Sequence, residues 1–310
     1  MQQWRQGFSD VRWNSRKKNQ PAGWFFFTID IWKNLLYNAL RIIYCVKRAQ
    51  NGGRMRILTA YATDAGNVKP VNQDALLIKS VAVDATETML LCICDGMGGL
   101  SMGERASTHV ICRFSEWYEK CLTEAMEAED REEFIREQWV ELLETANVKL
   151  AEFGAKQGIN LGTTCTAMLI IGTTYYVIHV GDSRIYEITD KITQFTNDQT
   201  VLAREIAMGR VRPEDAESDA RGSILLQCVG ASQSIDPQFV TGEIKENAVY
   251  MLCSDGFRHK VSAEEFLKGF SPEEMTEERK MERQCNYFVE LNKSREERDN
   301  ITVLLAKIQG

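Results

Sequence analysis

Histidine is scarce in this sequence, with three in 310 residues. By pattern His109 falls inside a helix and His179 inside a strand, where it reads as a satisfied core residue, so hydrolysis built on imidazole has little support. No Gly-x-Ser-x-Gly elbow presents a serine nucleophile. No Gly-x-x-x-x-Gly-Lys loop cradles a nucleotide. There is no internal repeat at a fixed period. Apolar runs long enough for a membrane span are missing too, because Asp30, Lys33 and Arg41 break the most promising stretch. No small-residue cleavage site follows that stretch, which argues against a signal peptide.

Nine cysteines are present, but they form no paired framework. Several lie in strand-like runs and read as reduced, buried small hydrophobes, which places the chain in the cytoplasm. Cys92-Ile93-Cys94 turns both thiols to one strand face, an arrangement open to zinc. No second Cys/His pair at ligand spacing accompanies it, and core packing is the favoured reading. Net charge is −7, split into +8 over residues 1–54 and −15 over the remainder. An acidic body of this kind argues against nucleic acid as a partner.

Residues 1–54 differ from the rest, holding four of the six tryptophans, the run Arg16-Lys17-Lys18 and the cluster Trp24-Phe25-Phe26-Phe27. Thr28 to Val46 fits a basic amphipathic helix, the only segment with a route to membrane contact. A second reading is favoured, in which Met55 is the natural start and the preceding segment is not native. Gly52-Gly53-Arg54 is encodable by a purine-rich stretch of the ribosome-binding kind. The boundary is therefore drawn between an extension, 1–54, and a domain, 55–310.

From Met55 the pattern predicts strands at Ile57–Thr63, Ala75–Val81 and Met89–Cys94, then a helix at Met102–Cys121. The acidic connector EAMEAEDREE leads to a second long helix, Phe134–Lys156. Strands follow at Thr163–Ile171, Tyr175–Val180 and Ile185–Ile188, then a helix at Gln199–Met208 and a polar surface stretch to Gly222. Strands at Gln238–Ile244 and Ala248–Cys253, helices at Ala263–Phe270 and Pro272–Asn292, and a strand at Ile301–Ile308 complete the order. This is an α+β pattern, not a βαβ array. A four-layer α-β-β-α sandwich of two antiparallel sheets, each flanked by a helix pair, uses every element.

Acids punctuate the strand ends. Asp95-Gly96 closes Met89–Cys94, Asp255-Gly256 closes Ala248–Cys253, Asp299 opens the last strand, Asp74 opens another, and Asp182 follows Val180. Alone, each is a common solvated turn or helix cap. Together, meeting at one end of a sandwich, they suit hard, oxygen-seeking Mg²⁺ or Mn²⁺. Two such ions about 3.5–4 Å apart can activate a shared water and clamp a phosphoryl oxygen.

The segments GNVKPVNQD, CDGMGG, GTTCTAML, VGDSRIY, FTNDQT, LLQCVGAS, CSDGF and RDNITVLL occur in the order found in metal-dependent Ser/Thr protein phosphatases, the PPM or type 2C family. From Thr59 to Lys307 the chain resembles bacterial members of that family. The resemblance implies the two-sheet sandwich and a binuclear Mn²⁺/Mg²⁺ centre whose bridging hydroxide attacks phosphoserine or phosphothreonine in phosphoproteins. Those substrates would in turn be products of a Ser/Thr kinase. It further implies that Asp95 bridges the ions and the Gly96 carbonyl binds one of them. Asp255 and Asp299 would complete the other shell, Asp74 would hold metal-bound water, and Asp182 would help bind a weaker third ion. For Asp182 a structural salt link to Arg184 stands as the alternative.

Three departures mark the chain. Lys69 stands where the family has a phosphate-gripping arginine, which implies a point charge instead of a bidentate fork. Gln73 replaces a glutamate. Met97 replaces the proton-donating histidine of eukaryotic members, as it commonly does in bacterial ones. The segment Met208 to Gly222 corresponds to a flap beside the cleft. Two rivals remain: a catalytically silent module of the same fold that binds partners, and a phosphatase of small phosphometabolites.

Overall fold

The computed structural model describes residues 42–46, 56–98, 102–215 and 219–309. Its strands are β1 (Ile42–Val46), β2 (Arg56–Asp64), β3 (Ala75–Val83), β4 (Thr86–Cys94), β5 (Gly96–Gly98), β6 (Leu161–Thr163), β7 (Cys165–Ile171), β8 (Thr174–Val180), β9 (Arg184–Ile188), β10 (Ile192–Gln194), β11 (Gln238–Glu243), β12 (Val249–Cys253) and β13 (Ile301–Gln309). Its helices are α1 (Gly103–Glu127), α2 (Arg131–Gln157), α3 (Val201–Ala207), α4 (Asp255–Arg258), α5 (Ala263–Gly269) and α6 (Glu278–Ser294).

Two sheets carry the fold. One has the order β1-β3-β4-β7-β8-β11 and the other β10-β9-β12-β13-β2, while β5 and β6 form a short ribbon of their own. Every pairing is antiparallel except β1 with β3. The continuous apolar runs follow from burial on both faces. Along β4, Leu90, Cys92 and Cys94 join the core under α1 and α2, while Met89, Leu91 and Ile93 join the core between the sheets. Along β12, Tyr250 and Leu252 enter the inter-sheet core, and Val249, Met251 and Cys253 face a third core shared with α5 and α6. Three cores between four layers are the α-β-β-α sandwich that the order of elements implies.

The outer layers hold by aromatic packing. Trp139 of α2 meets Phe114 and Trp117 of α1 edge-on at 5.3 and 5.4 Å, while Phe257, Phe266, Phe270 and Phe288 cluster under the second sheet. Caps fix the ends. The Asp130 side chain accepts from Glu133 N–H at the start of α2, Gly158 closes it at φ 67°, and Ser262 with Glu265 forms a capping box on α5.

Some expectations shift. The acidic connector is mostly helix, because α1 runs to Glu127 and α2 starts at Arg131. Asp130 caps the second helix, leaving only residues 128–130 between them. The helix expected from Pro272 begins at Glu278. Of the stretch from Thr28 to Val46 expected as helix, Ile42–Val46 is a strand lying parallel to β3, so an amphipathic helix does not extend through it. The rest of residues 1–54, including Trp24 to Phe27, lies outside the described residues. Within the stretch from Met208 to Gly222 expected as a flap, and just past it, short 3-10 turns occur at Pro213–Asp215 and Ala220–Ser223. Among the described residues no helix is long and apolar enough to cross a membrane.

Candidate metal centre

Antiparallel register gathers the acids. Ala75, after Asp74, pairs with Cys94, before Asp95. Cys253, two residues ahead of Asp255, pairs with Val303 on one side and Arg184 on the other. Asp299 therefore lies just ahead of β13, and Asp182 just ahead of β9, at that same end of the sandwich.

Close backbone packing explains the glycines that follow two of these acids. A Cβ on Gly96 would fall 2.4 Å from the Gly103 carbonyl oxygen and 2.5 Å from that of Gln73. One on Gly256 would fall 2.2 Å from the Asn300 carbonyl oxygen. The Asp95 backbone is pinned from β6 and β7. Its N–H donates to Thr164 Oγ1, and its carbonyl accepts from Thr164 N–H and Thr163 Oγ1, each at 2.9 Å.

Asp74 and Asp182 are buried, and Asp95, Asp255 and Asp299 half-buried. Asp74 Oδ2 accepts from the Thr302 hydroxyl, but Oδ1 is buried with no hydrogen-bond partner. Asp255 Oδ1 is orphaned in the same way, while its Oδ2 lies 3.5 Å from His259 Nε2. Burial, with the charges of Asp255 and Asp299, pushes the Asp74 carboxyl up to about 7 against the Thr302 hydrogen bond. Burial and Asp255 raise Asp182 to about 7 against the pull of Arg258. Burial also holds Asp95 well above the usual carboxylate range, reinforced by Asp74, Asp255, Asp182 and Asp299. These acids crowd one another with too little positive charge among them.

Lys69 reaches the cluster from the loop before β3. Its Nζ lies 3.0 Å from Asp299 Oδ1, and the side chain is 40% exposed. Burial pulls its pKa down, but the hydrogen bond and charge of Asp299, with Asp95 and Asp255, outweigh that and leave it raised. Asn300, fully within the fold, clamps the loop. Its Nδ2 donates to the carbonyls of Ala65 and Val71 at 3.0 and 3.2 Å, and its Oδ1 accepts from Gln73 N–H at 2.8 Å.

The structure brings all seven sequence-derived residues, Lys69, Asp74, Asp95, Gly96, Asp182, Asp255 and Asp299, to this end. It changes one pairing. Arg184 makes a two-pronged contact with Asp198 at 2.7 and 2.6 Å, and Asp182 is instead met by Arg258, which lies 3.8 Å from its Oδ2 and donates to its carbonyl at 3.1 Å. Sequence reasoning missed Thr302, Asn300, Arg258, His259 and Glu297. Glu297 Oε1 accepts from the N–H groups of Arg298 and Asp299, and its Oε2 lies 3.5 Å from His259 Nδ1, so His259 stands between the acids of two loops. A signal existed for His259, since it lies one helical turn past Asp255.

Among the described residues no three carboxylate oxygens converge within 4.8 Å. An oxygen-only donor set with two orphaned buried oxygens, in which burial raises Asp74, Asp95 and Asp182, fits hard divalent cations. A cleft of about 1200 Å³ runs alongside, lined by Asp198, Arg258 and His259 and by Asp219, Gly222 and Ser223.

This arrangement has counterparts. A profile of the protein phosphatase 2C family matches residues 67–293. The chain belongs to the protein phosphatase 2C family. It is 27% identical over 259 residues to the serine/threonine protein phosphatase PstP of Mycobacterium tuberculosis, covering 82% of this chain and 46% of that protein. It thus spans about half the length of that curated relative. It is 29% identical over 206 residues to the protein phosphatase PhpP of Streptococcus pneumoniae, covering 66% and 80%. Among solved structures, the S. agalactiae serine/threonine phosphatase superposes with a TM-score of 0.69 at 26% identity, covering 81% of this chain and 99% of that one. The catalytic domain of PstP in complex with two manganese ions superposes at 0.64 with 26% identity, covering 83% and 100%.

Proposed function

We propose that the chain is a Mn²⁺- or Mg²⁺-dependent phosphatase of phosphoserine and phosphothreonine in proteins. The observation that carries this reading is the pair of orphaned buried oxygens, Asp74 Oδ1 and Asp255 Oδ1, in a site where burial and neighbouring carboxylates raise Asp74, Asp95 and Asp182. Asp95, with the Gly96 carbonyl, would hold two ions, Asp255 and Asp299 would complete one shell, and Asp74 would act through water. The two manganese ions of the PstP structure support that stoichiometry. Such ions would supply Lewis-acid polarisation of a phosphoryl oxygen and activation of water.

The chain's own residues account for the rest. Lys69 Nζ, held by Asp299 and partly exposed, offers a point charge to the phosphate as negative charge builds on it. Asp74 is steadied by Thr302 through Oδ2, and its Oδ1 is left as the acceptor for the proton of the attacking water. Met97 carries no proton to give the departing alkoxide. Asp182 takes a third, weaker ion only in competition with Arg258.

The cleft and its flap support a protein substrate over a small metabolite, since they extend a surface well past the acids. Such substrates would come from a Ser/Thr kinase, and the free, buried cysteines support a cytoplasmic setting. We keep residues 55–310 as the phosphatase domain, with 1–54 an extension whose β1 adds an edge strand to the first sheet. The test is Mn²⁺-dependent hydrolysis of a phosphothreonine peptide beside a panel of small phosphate esters. Preference for the peptide supports the proposal. Preference for the esters favours a metabolite phosphatase, and no turnover of either favours a silent binding module.

A further inference from the structure

Beneath Asp95, on the far side of the strand pair that carries it, lies a second cluster that the phosphatase reading does not use. Cys92 and Cys94 are two apart on β4 and so face the same way, into the core under α1 and α2. Cys165 opens β7, and it falls opposite Cys94 one step beyond the register pair Ile93 and Thr166. All three are fully buried. One sulfur from each lies within 4.8 Å of the other two, and Cys92 and Cys94 Sγ are 3.9 Å apart.

The Cys92–Cys94 separation matches one edge of a coordination sphere, and Cys165 lies near enough to close the other two with a small shift. Three thiolates bound to one ion at about 2.3 Å stand roughly 3.8–4.0 Å from one another. We propose that Cys92, Cys94 and Cys165 form a three-sulfur site for a thiophilic d¹⁰ cation of the zinc and cadmium class, distinct from the acidic centre. Thiolate donors select such ions over Mn²⁺ and Mg²⁺, which prefer oxygen. A buried thiol must give up its proton to become a metal ligand, so an entering ion displaces protons to solvent, and only a strongly thiophilic one does so. Entry needs local opening between β4, β7 and the covering helices, so binding is slow.

The position gives the site a consequence. Cys94 adjoins Asp95, and Cys165 adjoins Thr164, whose hydroxyl and N–H both hold the Asp95 backbone. An ion joining the sulfurs ties β4 to β7 directly behind that turn and stiffens it.

The experiment uses the full chain, saturated with Mn²⁺ so that the acids are occupied, and incubated with one equivalent of Cd²⁺ or of Zn²⁺. Cadmium should produce thiolate-to-metal charge-transfer absorption with three sulfurs per ion by X-ray absorption, and both ions should raise the unfolding temperature. Cys165→Ala should lose the three-sulfur signature and the thermal gain, while Cys253→Ala, a buried thiol outside the cluster, should retain both. Wild-type protein without the absorption, or an equal signal in Cys165→Ala, would overturn the proposal in favour of plain core packing. If Cys165→Ala fails to fold, the wild-type sulfur count decides alone: three supports the site, and fewer overturns it.

Discussion

Thr302 of β13, in one sheet, donates its hydroxyl to Oδ2 of Asp74, which opens β3 in the other. This contact joins the two sheets at the end where the acids meet. It satisfies one oxygen of Asp74 and leaves Oδ1 buried without a hydrogen-bond partner. The carboxylates are therefore costly to the fold until a cation joins them.

That cost makes stability depend on pH. Asp74 and Asp182 titrate near 7 in the folded, metal-free chain against 3.8 ordinarily. Between those values the folded state keeps protons that the unfolded state has released, so stability falls as pH rises from about 4 to 7. Thermal unfolding in chelator should show a lower midpoint at pH 7.5 than at pH 5.5, by at least about 2–4 °C, the equivalent of 1 kcal/mol in a domain of this size. Asp74→Asn should flatten that fall. Added Mn²⁺ should raise the midpoint more at pH 7.5 than at pH 5.5. An unchanged slope in Asp74→Asn would show that Asp74 is not a strained acid.

Lys69 is expected to grip phosphate as a point charge. Lys69→Ala should raise KM by about tenfold with a smaller loss in kcat, since one charge-assisted contact is worth about 1.5 kcal/mol. Lys69→Arg should match or improve on the wild type. Unchanged kinetics in the alanine variant would reduce Lys69 to a partner of Asp299.

Asn300 is expected to act through the loop it clamps. Asn300→Ala removes three hydrogen bonds inside the fold and should cost about 2–4 kcal/mol, read by denaturant unfolding. It should also weaken Mn²⁺ binding, because residues 65–73 lead directly into Asp74. A loss under about 0.5 kcal/mol would show that the loop holds without it.

Arg258 already supplies positive charge at Asp182. Arg258→Ala should therefore let a third Mn²⁺ bind more tightly, counted by electron paramagnetic resonance of free Mn²⁺. A count unaltered by the substitution would leave Arg258 as support for Asp198, whose Oδ2 lies 3.5 Å from its guanidinium.

Much of this was legible in the sequence because burial on both faces produces unbroken apolar runs. Met89–Cys94 and Val249–Cys253 could be read as strands, and the acid after each could be placed at an end. β1 and β10 were not legible, since short edge strands are set by their neighbours more than by their own residues. Residues 124–133 show the same limit, as a polar, acidic stretch looked like a loop while Glu124, Glu127 and Glu132 lie on exposed helix surface. At the site, the acids announced themselves by spacing. Arg258 meeting Asp182, and Glu297 reaching His259, depend on contacts between residues far apart in the chain, which no local pattern encodes.

Asp255 tests the metal centre most directly, because one of its oxygens is buried without a partner and the other lies 3.5 Å from His259 Nε2. Calorimetric titration of the metal-free chain with Mn²⁺, paired with phosphothreonine-peptide turnover, should give two ions per wild-type chain. Asp255→Asn should remain folded, bind at least one fewer ion and lose nearly all turnover. Two ions and near wild-type turnover in Asp255→Asn would contradict the two-metal assignment.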